Sequence, residues 1–244
     1  CCVYLETVAF LGSGRNEAPG IYLGANSQAK KISTQELDIL LMNYTEAQLA
    51  TVKLEARNDK NHQHLYVHFP DRTIVYDAAA SEALGEQVWF TLTTSQVGFS
   101  QYRARNLVWA YDKWLIGDPQ SSAIGYLVDN IGTHWGQIVR WEFGTLIVYN
   151  ESNGAIFNEL ELVSSTGSVA LGVDPMISTS YSLDGKSWSQ DRSIRAGMTG
   201  NTRKRLAWFQ QGHMRNWRIQ RFRGDTQAHL SFIRLEAQIE PLAY

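Results

Sequence analysis

His64-Leu65-Tyr66-Val67-His68-Phe69-Pro70-Asp71-Arg72-Thr73-Ile74-Val75-Tyr76-Asp77 is the stretch whose reading decides the fold. Two runs of β-branched and aromatic residues flank Pro70-Asp71, and a turn pair breaking such a run is the pattern of a β-hairpin. The plan recurs downstream. Leu107 to Tyr111 and Trp114 to Asp118 flank Asp112-Lys113, Ala123 to Val128 follows as a third short strand, and Val88 to Leu92 lies between the two hairpins. Upstream, Val3 to Leu11 and Ile21 to Gly24 read as strands separated by the polar loop Gly12 to Gly20. Repeated small antiparallel units predict an all-β scaffold that presents surfaces.

One helix interrupts the pattern. Ser33 is placed as its N-cap with Glu36 three residues later, and Leu37, Leu40, Leu41 and Tyr44 share a face at helical spacing. Thr45 with Gln48 repeats the capping signature and predicts a second short helical turn before Val52 to Ala56 extends. The helix near residues 34–44 is expected to be the only substantial one. After Asn130 the texture changes, with short apolar runs at Ile138 to Phe143 and Leu146 to Tyr149. From Phe157 a new set of strands begins: Leu160 to Val163, Met176 to Tyr181, Asn216 to Arg223 and Leu230 to Ala237. A boundary is therefore expected near residue 155, dividing the chain into 1–155 and a β-sandwich over 156–244.

At 244 residues and 27.6 kDa the chain can bury one large core or two modest ones. An apolar share of 44% with 8 Trp, 11 Tyr and 9 Phe excludes a disordered chain. No apolar run approaches the length of a membrane-spanning helix. The adjacent Cys1-Cys2 pair would form a strained bridge, so no disulfide framework is read. The abrupt start without Met is read as the beginning of a fragment of a longer protein. The net charge of -2 hides an uneven distribution. From Gln190 to Gly224 there are nine Lys or Arg against the single acid Asp191.

No combination of residues points to catalysis, a cofactor or a metal. His62, His64 and His68 alternate with the strand period, but His68 lies roughly 13 Å from His64 along an extended strand, so one strand cannot bring all three to one ion. There is no nucleophile elbow and no Cys–His pair in a credible context. The acids Asp71, Asp77, Asp112 and Asp118 each sit at a hairpin end, where Asp caps its own turn, and no carboxylate pair for glycoside hydrolysis is read. Ser182 to Trp188 resembles the Asp-box turn of sialidase propellers but is one residue short, and such boxes are structural. Gly12-Ser13-Gly14 lacks the ending of a phosphate loop. Arg223-Gly224-Asp225 fits a turn as well as an adhesion motif. Asn43-Tyr44-Thr45 and Asn150-Glu151-Ser152 are glycan acceptors only in a secreted protein.

The basic stretch carries the functional reading. Arg203, Lys204, Arg205, Arg215, Trp217, Arg218, Arg221 and Arg223 are the candidate interface residues. Arg and Trp anchor protein interfaces, and the same arginines could meet DNA phosphates. Arg218 and Arg221 fall on opposite strand faces, so the arginines do not form one strip, and protein docking is the favoured reading.

Asn43 to Ala50, HLYVHFPDRTIVYDAAAS at 64–81, YRARNLVWAYDKWLIGD at 102–118 with Ile124 to Leu127, and FNELELVSSTG at 157–167 carry a resemblance. Tyr181 to Gly185 and Phe232 to Glu236 continue it in the same order. Together they resemble the packaged-DNA stabilisation proteins, or tail accessory factors, of P22-like short-tailed phages. The resemblance implies a partial β-propeller-like body with one short helix, followed by the β-sandwich. It implies a structural virion protein at the head–tail junction, assembled in the host cytoplasm, without catalytic residues. It also implies a homo-hexameric ring between a portal-adaptor ring and a tail needle or plug protein, with packaged DNA in the central channel as a further potential contact. Such a ring would seal its channel by buried area and not by chemistry. Two other classes stay open: a carbohydrate-binding or carbohydrate-hydrolysing propeller, marked by an acidic pair and aromatics in one cleft, and a DNA-binding module, marked by one continuous basic patch.

Overall fold

The computed structural model describes the whole chain except residues 16, 26, 27, 130, 229, 243 and 244. It divides into two units, Cys1–Leu127 and Val128–Tyr244.

The first unit is a succession of antiparallel sheets in which each strand pairs with its sequence neighbour. β1 (Cys2–Tyr4), β2 (Thr7–Gly12), β3 (Gly20–Ala25) and β4 (Gln28–Lys31) form the first sheet. The helices α1 (Gln35–Met42) and α2 (Glu46–Leu49) follow. The second sheet comprises β5 (Lys53–Asp59), β6 (His62–His68), β7 (Thr73–Asp77) and, after α3 (Ala78–Leu84), β8 (Val88–Leu92). β9 (Arg105–Ala110), β10 (Lys113–Gly117) and β11 (Ile124–Tyr126) make a third sheet of three strands.

The hairpin at 64–77 is the centre of this unit. Phe69 N–H donates to Arg72 O at 2.8 Å across the Pro70-Asp71 turn. In register, Leu65 faces Tyr76 and Val67 faces Ile74, and all four are buried. They join Tyr4, Ala9, Ile21, Ile32 and Leu41, the single buried residue of α1, in one core between the first two sheets. Burying each such side chain is worth about 1.5–3 kcal/mol. Polar anchors fix the approach of the two sheets: Tyr4 Oη donates to Gln63 O at 2.7 Å and Trp89 Nε1 to Ile32 O at 3.0 Å. On the other face of the hairpin, Tyr66 stacks on Tyr102 with ring centroids 6.3 Å apart.

Several local features depart from the sequence expectation. Val3 to Leu11 is not one strand but the hairpin β1–β2, because Leu5 and Glu6 both take positive φ (50° and 60°). Lys60-Asn61 and Tyr111-Asp112 do the same, so these hairpins of the first unit use two-residue turns of the I′ kind, whose twist matches that of the strands. The second turn is thus Tyr111-Asp112, and Lys113 already belongs to β10. The N-cap of α1 is Thr34, not Ser33. Ser33 Oγ instead donates to Asp38 Oδ1 at 2.7 Å and accepts from Ile21 N–H at 3.2 Å, tying the helix to β3. The Thr45–Gln48 capping box forms as expected. The helix α3 is an addition. Asp77 accepts from Ala80 N–H at its start, and Gly85 at φ 73° closes it.

The second unit begins with a small hairpin, β12 (Thr133–His134) and β13 (Gln137–Ile138). Its further strands are β14 (Trp141–Gly144), β15 (Val148–Tyr149), β16 (Ala155–Ser165), β17 (Met176–Ser182), β18 (Arg192–Arg195), β19 (Ala207–Phe209), β20 (His213–Met214), β21 (Trp217–Gly224) and β22 (Ser231–Pro241). One sheet runs β14-β21-β17-β18 with β15 also on β21, and the other is built on β16, which pairs β19, β20 and β22. Leu162, Leu206 and Trp208 from one side meet Ile177 and Phe222 from the other in the core. β21 alternates without a break between half-buried and buried residues, the period of a strand covered on one face. Trp141 lies across from Gly224, where a Cβ would stand 2.7 Å from the indole, so only glycine leaves room. The division falls at Leu127/Val128 and differs from the expected residue 155. The reason is that β14 and β15 hydrogen-bond to β21 and so belong with the sandwich strands.

Tyr111 is 90% exposed and adopts positive φ, a conformation costing a non-glycine residue about 1–2 kcal/mol. Replacing Tyr111-Asp112 by Asn-Gly is expected to raise stability by about 1 kcal/mol in urea unfolding. Lower stability would mean that the Tyr111 ring makes a contribution the turn geometry does not account for.

Candidate functional site

The eight basic-segment candidates separate into three groups once their environments are seen. Arg203, Lys204 and Arg205 sit in the loop between β18 and β19, and Arg215 precedes β21; all four are exposed. Among the described residues, Arg203, Lys204 and Arg215 make no side-chain hydrogen bond or ion pair. Arg205 is committed to β16. Its Nε donates to Glu161 Oε1 at 3.0 Å and its Nη2 to Glu159 Oε1 at 2.8 Å, and the guanidinium holds the Glu161 carboxyl below its ordinary range. An ion pair so open to water contributes little stability.

Arg221 and Arg223 lie on the half-buried face of β21 and are partnered within the sheet. Arg221 Nε and Nη2 donate to Ser180 Oγ at 3.1 and 3.0 Å, and its guanidinium stands 3.9 Å over the Trp188 ring. Glu142 Oε1 lies 3.8 Å from it, and Arg223 pairs with Asp191. Trp217 packs against the turn at Gly185, where a Cβ would meet its Cη2 at 3.6 Å. Asp184 organises that turn by accepting from Lys186 N–H at 2.8 Å and Ser187 N–H at 2.7 Å. These bonds, with that from Ser187 Oγ, hold its carboxyl far below the ordinary range. The Asp-box-like segment is therefore structural.

Arg218 is not an interface residue: it is 0% exposed. Its Nε and Nη2 donate to Gln220 Oε1 at 3.0 and 2.7 Å, and Nη1 donates to Gln211 O at 2.7 Å. The rings of Phe157 and Tyr181 cover the guanidinium at 4.2 and 3.9 Å. Burial pushes its pKa down to about 10, so the charge persists at neutral pH. Among the described residues no carboxylate is hydrogen-bonded to it; amide oxygens and two π faces take that role. The expectation failed because strand alternation places Arg218 and Arg221 on opposite faces without saying which face is inside.

Of the four acids Asp71, Asp77, Asp112 and Asp118, three are engaged locally: Asp71, Asp77 and Asp118. Asp118 accepts from Arg103 Nε at 2.9 Å, Ser121 Oγ at 2.6 Å and Gln120 N–H at 3.1 Å; Arg103 leads in holding its carboxyl far below the ordinary range. Asp71 accepts from Arg72 Nε at 2.9 Å and from Tyr44 Oη. Burial and that carboxylate push the Tyr44 phenol up to about 12. Exposed aromatics do exist on the third sheet, but they are divided between its two faces. Trp109 faces Trp114 on one side, while Tyr126, Leu115 and Val108 line the other. These residues do not form the acidic, aromatic cleft expected of a glycan-processing site.

The histidines divide as their spacing requires. His68 turns inward, its Nδ1 3.1 Å from Thr73 Oγ1 and its Nε2 3.3 Å from Glu55 Oε2. His62 and His64 instead converge on Asp77, which the β6–β7 register sets directly opposite His64. His62 Nδ1 is 2.6 Å and His64 Nε2 3.6 Å from the same oxygen, Asp77 Oδ2. Burial works to raise the Asp77 carboxyl, but the Ala80 amide and the His62 ring outweigh it and hold the carboxyl below its ordinary value.

Removing the buried charge should matter far more than removing the open ones. Arg218→Ala strands the oxygens of Gln211 and Gln220 and is expected to cost about 3 kcal/mol or more. Arg203→Ala and Arg215→Ala should each change stability by less than about 0.5 kcal/mol. Urea unfolding curves measure both, and an Arg218→Ala protein as stable as its parent would refute the assigned role.

The comparisons with known proteins follow the same two-part division. Residues 1–132 match the family model described as Bacteriophage P22 Gp10, β-propeller, and residues 140–240 match the one described as Bacteriophage P22 Gp10, β-sandwich. The chain is 26% identical over 212 residues to the Tail hub protein gp10 of Salmonella phage P22. That match takes in 87% of this chain and 43% of the relative, so the chain spans less than half of the relative's length. A solved exo-β-1,3-galactanase from Phanerochaete chrysosporium is 10% identical, covering 97% of this chain and 69% of that one. Its TM-score of 0.21 is too low to support any argument. Strand meanders in the first unit, two packed sheets in the second and both family matches in the same order lead to one conclusion: the chain belongs to the P22 Gp10 family, as a β-propeller part followed by a β-sandwich part.

Proposed function

We propose that this chain is part of a phage tail hub: a structural, non-catalytic virion protein that closes the head–tail channel and retains packaged DNA by assembling into a homo-hexameric ring. The observation that carries the reading is the match of both units, in order, to the two Gp10 parts, together with the P22 tail hub relative. The surface supports it. Ile124 and Tyr126 on the third sheet are exposed, as are Leu146, Ile147 and Tyr149 around β15. Exposed apolar side chains of this kind favour association. A ring buries such area between copies and seals by contact. In this reading the protein sits in the tail at the head–tail junction, between a portal-adaptor ring and a needle or plug protein, after assembly in the host cytoplasm.

The exposed cations favour protein docking over DNA binding. Arg205, Arg221 and Arg223 are already neutralised by acids. Only Arg203, Lys204 and Arg215 of the eight candidates are exposed without such a partner among the described residues. Three phosphate contacts would give a salt slope of only about 3 for duplex DNA, too weak for retention by affinity. DNA is held because the channel is closed.

Native mass measurement of the full-length protein tests the assembly, with six copies expected. Arg203→Glu with Lys204→Glu and Arg215→Glu should weaken docking to the adjoining ring, while duplex DNA binding stays weak at low salt and absent near physiological ionic strength. Tight binding at physiological salt, abolished by the triple substitution, would make DNA contact the better account.

A further inference from the structure

We propose that His62, His64 and Asp77 form a binding site for a transition-metal ion of the Zn(II) class at the end of the β6–β7 hairpin. The three side chains each turn one ligand atom inward, and those atoms all lie within 4.8 Å of one another. Imidazole nitrogens and a carboxylate oxygen are the donors zinc accepts, at about 2.0–2.2 Å. Two donors on one tetrahedral ion at those lengths stand about 3.3 Å apart. The distances of 2.6 Å from His62 Nδ1 and 3.6 Å from His64 Nε2 to Asp77 Oδ2 bracket that value. The third edge, between the two imidazole nitrogens, is at most 4.8 Å, so an ion fits once the rings close by up to about 1.5 Å.

The convergence is more than a hydrogen-bonded pair needs. His62 alone would satisfy Asp77 Oδ2, yet His64 turns its Nε2 toward the same oxygen from beyond hydrogen-bond range. Surrounding groups hold two of the three ligands in place, as outer contacts do in metal sites. Asp77 Oδ1 accepts from Ala80 N–H at 3.2 Å, which leaves Oδ2 free to point at the histidines. The His64 ring is wedged edge-on between Tyr66 and Phe90, with centroids at 6.2 and 5.6 Å. The charged neighbours on this face are Arg57, opposite His64, and Asp59, opposite His62; they pair with each other at 3.0 Å. His62 has a 51% exposed side chain, so water can reach a fourth coordination position. The ion would join β6, β7 and the first turn of α3 as a structural clamp. Nothing in this proposal depends on the tail-hub reading.

The test uses the full chain without a histidine tag, stripped with chelator and titrated with Zn(II) by calorimetry and with Co(II) by visible absorption. One ion per chain, a Co(II) spectrum of nitrogen and oxygen ligation, and a rise in Tm with Zn(II) are expected. His64→Gln and Asp77→Asn, the latter keeping the oxygen that caps α3, should each weaken binding about 100-fold or more. His213→Gln, an exposed histidine on β20, should leave it unchanged. Absence of binding at millimolar Zn(II), or binding that survives the His62→Gln, His64→Gln double substitution in a folded protein, overturns the proposal.

Discussion

Because β6 and β7 are covered on both faces, their side chains must satisfy two different neighbours at once, and the first unit is organised around that demand. Leu65, Val67, Ile74 and Tyr76 meet the first sheet and α1 in a dry core. The opposite row, His64, Tyr66 and His68 with Thr73, Val75 and Asp77, is polar except for Val75, and its polar groups must find internal partners. Buried polar groups are costly unless paired. Thr73 serves His68 Nδ1, while His68 Nε2 stands 3.3 Å from Glu55 Oε2 without a hydrogen bond; Arg57 reaches the Tyr66 hydroxyl at 3.5 Å, and Asp77 receives His62 and the α3 amide. The same requirement that positions the hairpin therefore assembles the histidine–carboxylate cluster.

The sandwich solves a related problem with a charge. Arg218 sits inside, held by Gln220, Gln211 and two aromatic faces. Gln220 Nε2 donates in turn to Thr179 Oγ1 at 2.5 Å, so the guanidinium is linked through one amide to the neighbouring strand β17. A buried network of this kind does little for net stability but penalises any register in which its members do not meet. The outward arginines of the same strand meet Trp188, Glu142 and Asp191. A basic run in sequence thus becomes a nearly neutral sheet face.

Much of the fold was legible because hairpin signals are local. Pro70-Asp71 between β-rich runs and the Thr45–Gln48 box need no tertiary knowledge. The missed features have equally physical reasons. Leu5-Glu6 contains no Gly, Asn or Asp, the usual marks of a I′ turn, so the hairpin β1–β2 read as one strand. Ala78-Ala79-Ala80 has no amphipathic period, and α3 is decided by its Asp77 and Gly85 caps. Of the interface candidates, Arg218 is buried, and the acids that neutralise Arg205 and Arg221 lie 30 residues or more away in sequence. Asp77 as the partner of His62 and His64 follows only from the β6–β7 register, which no single-strand reading contains.

The central claim is that the protein acts by enclosure in an assembled tail. Imaging of the intact particle containing the full-length protein tests it most directly. The account predicts six copies around the tail axis at the head–tail junction, with the basic loop at 203–205 against another protein chain. A different copy number, a location remote from that junction, or that loop lying along the DNA with no protein neighbour would contradict it.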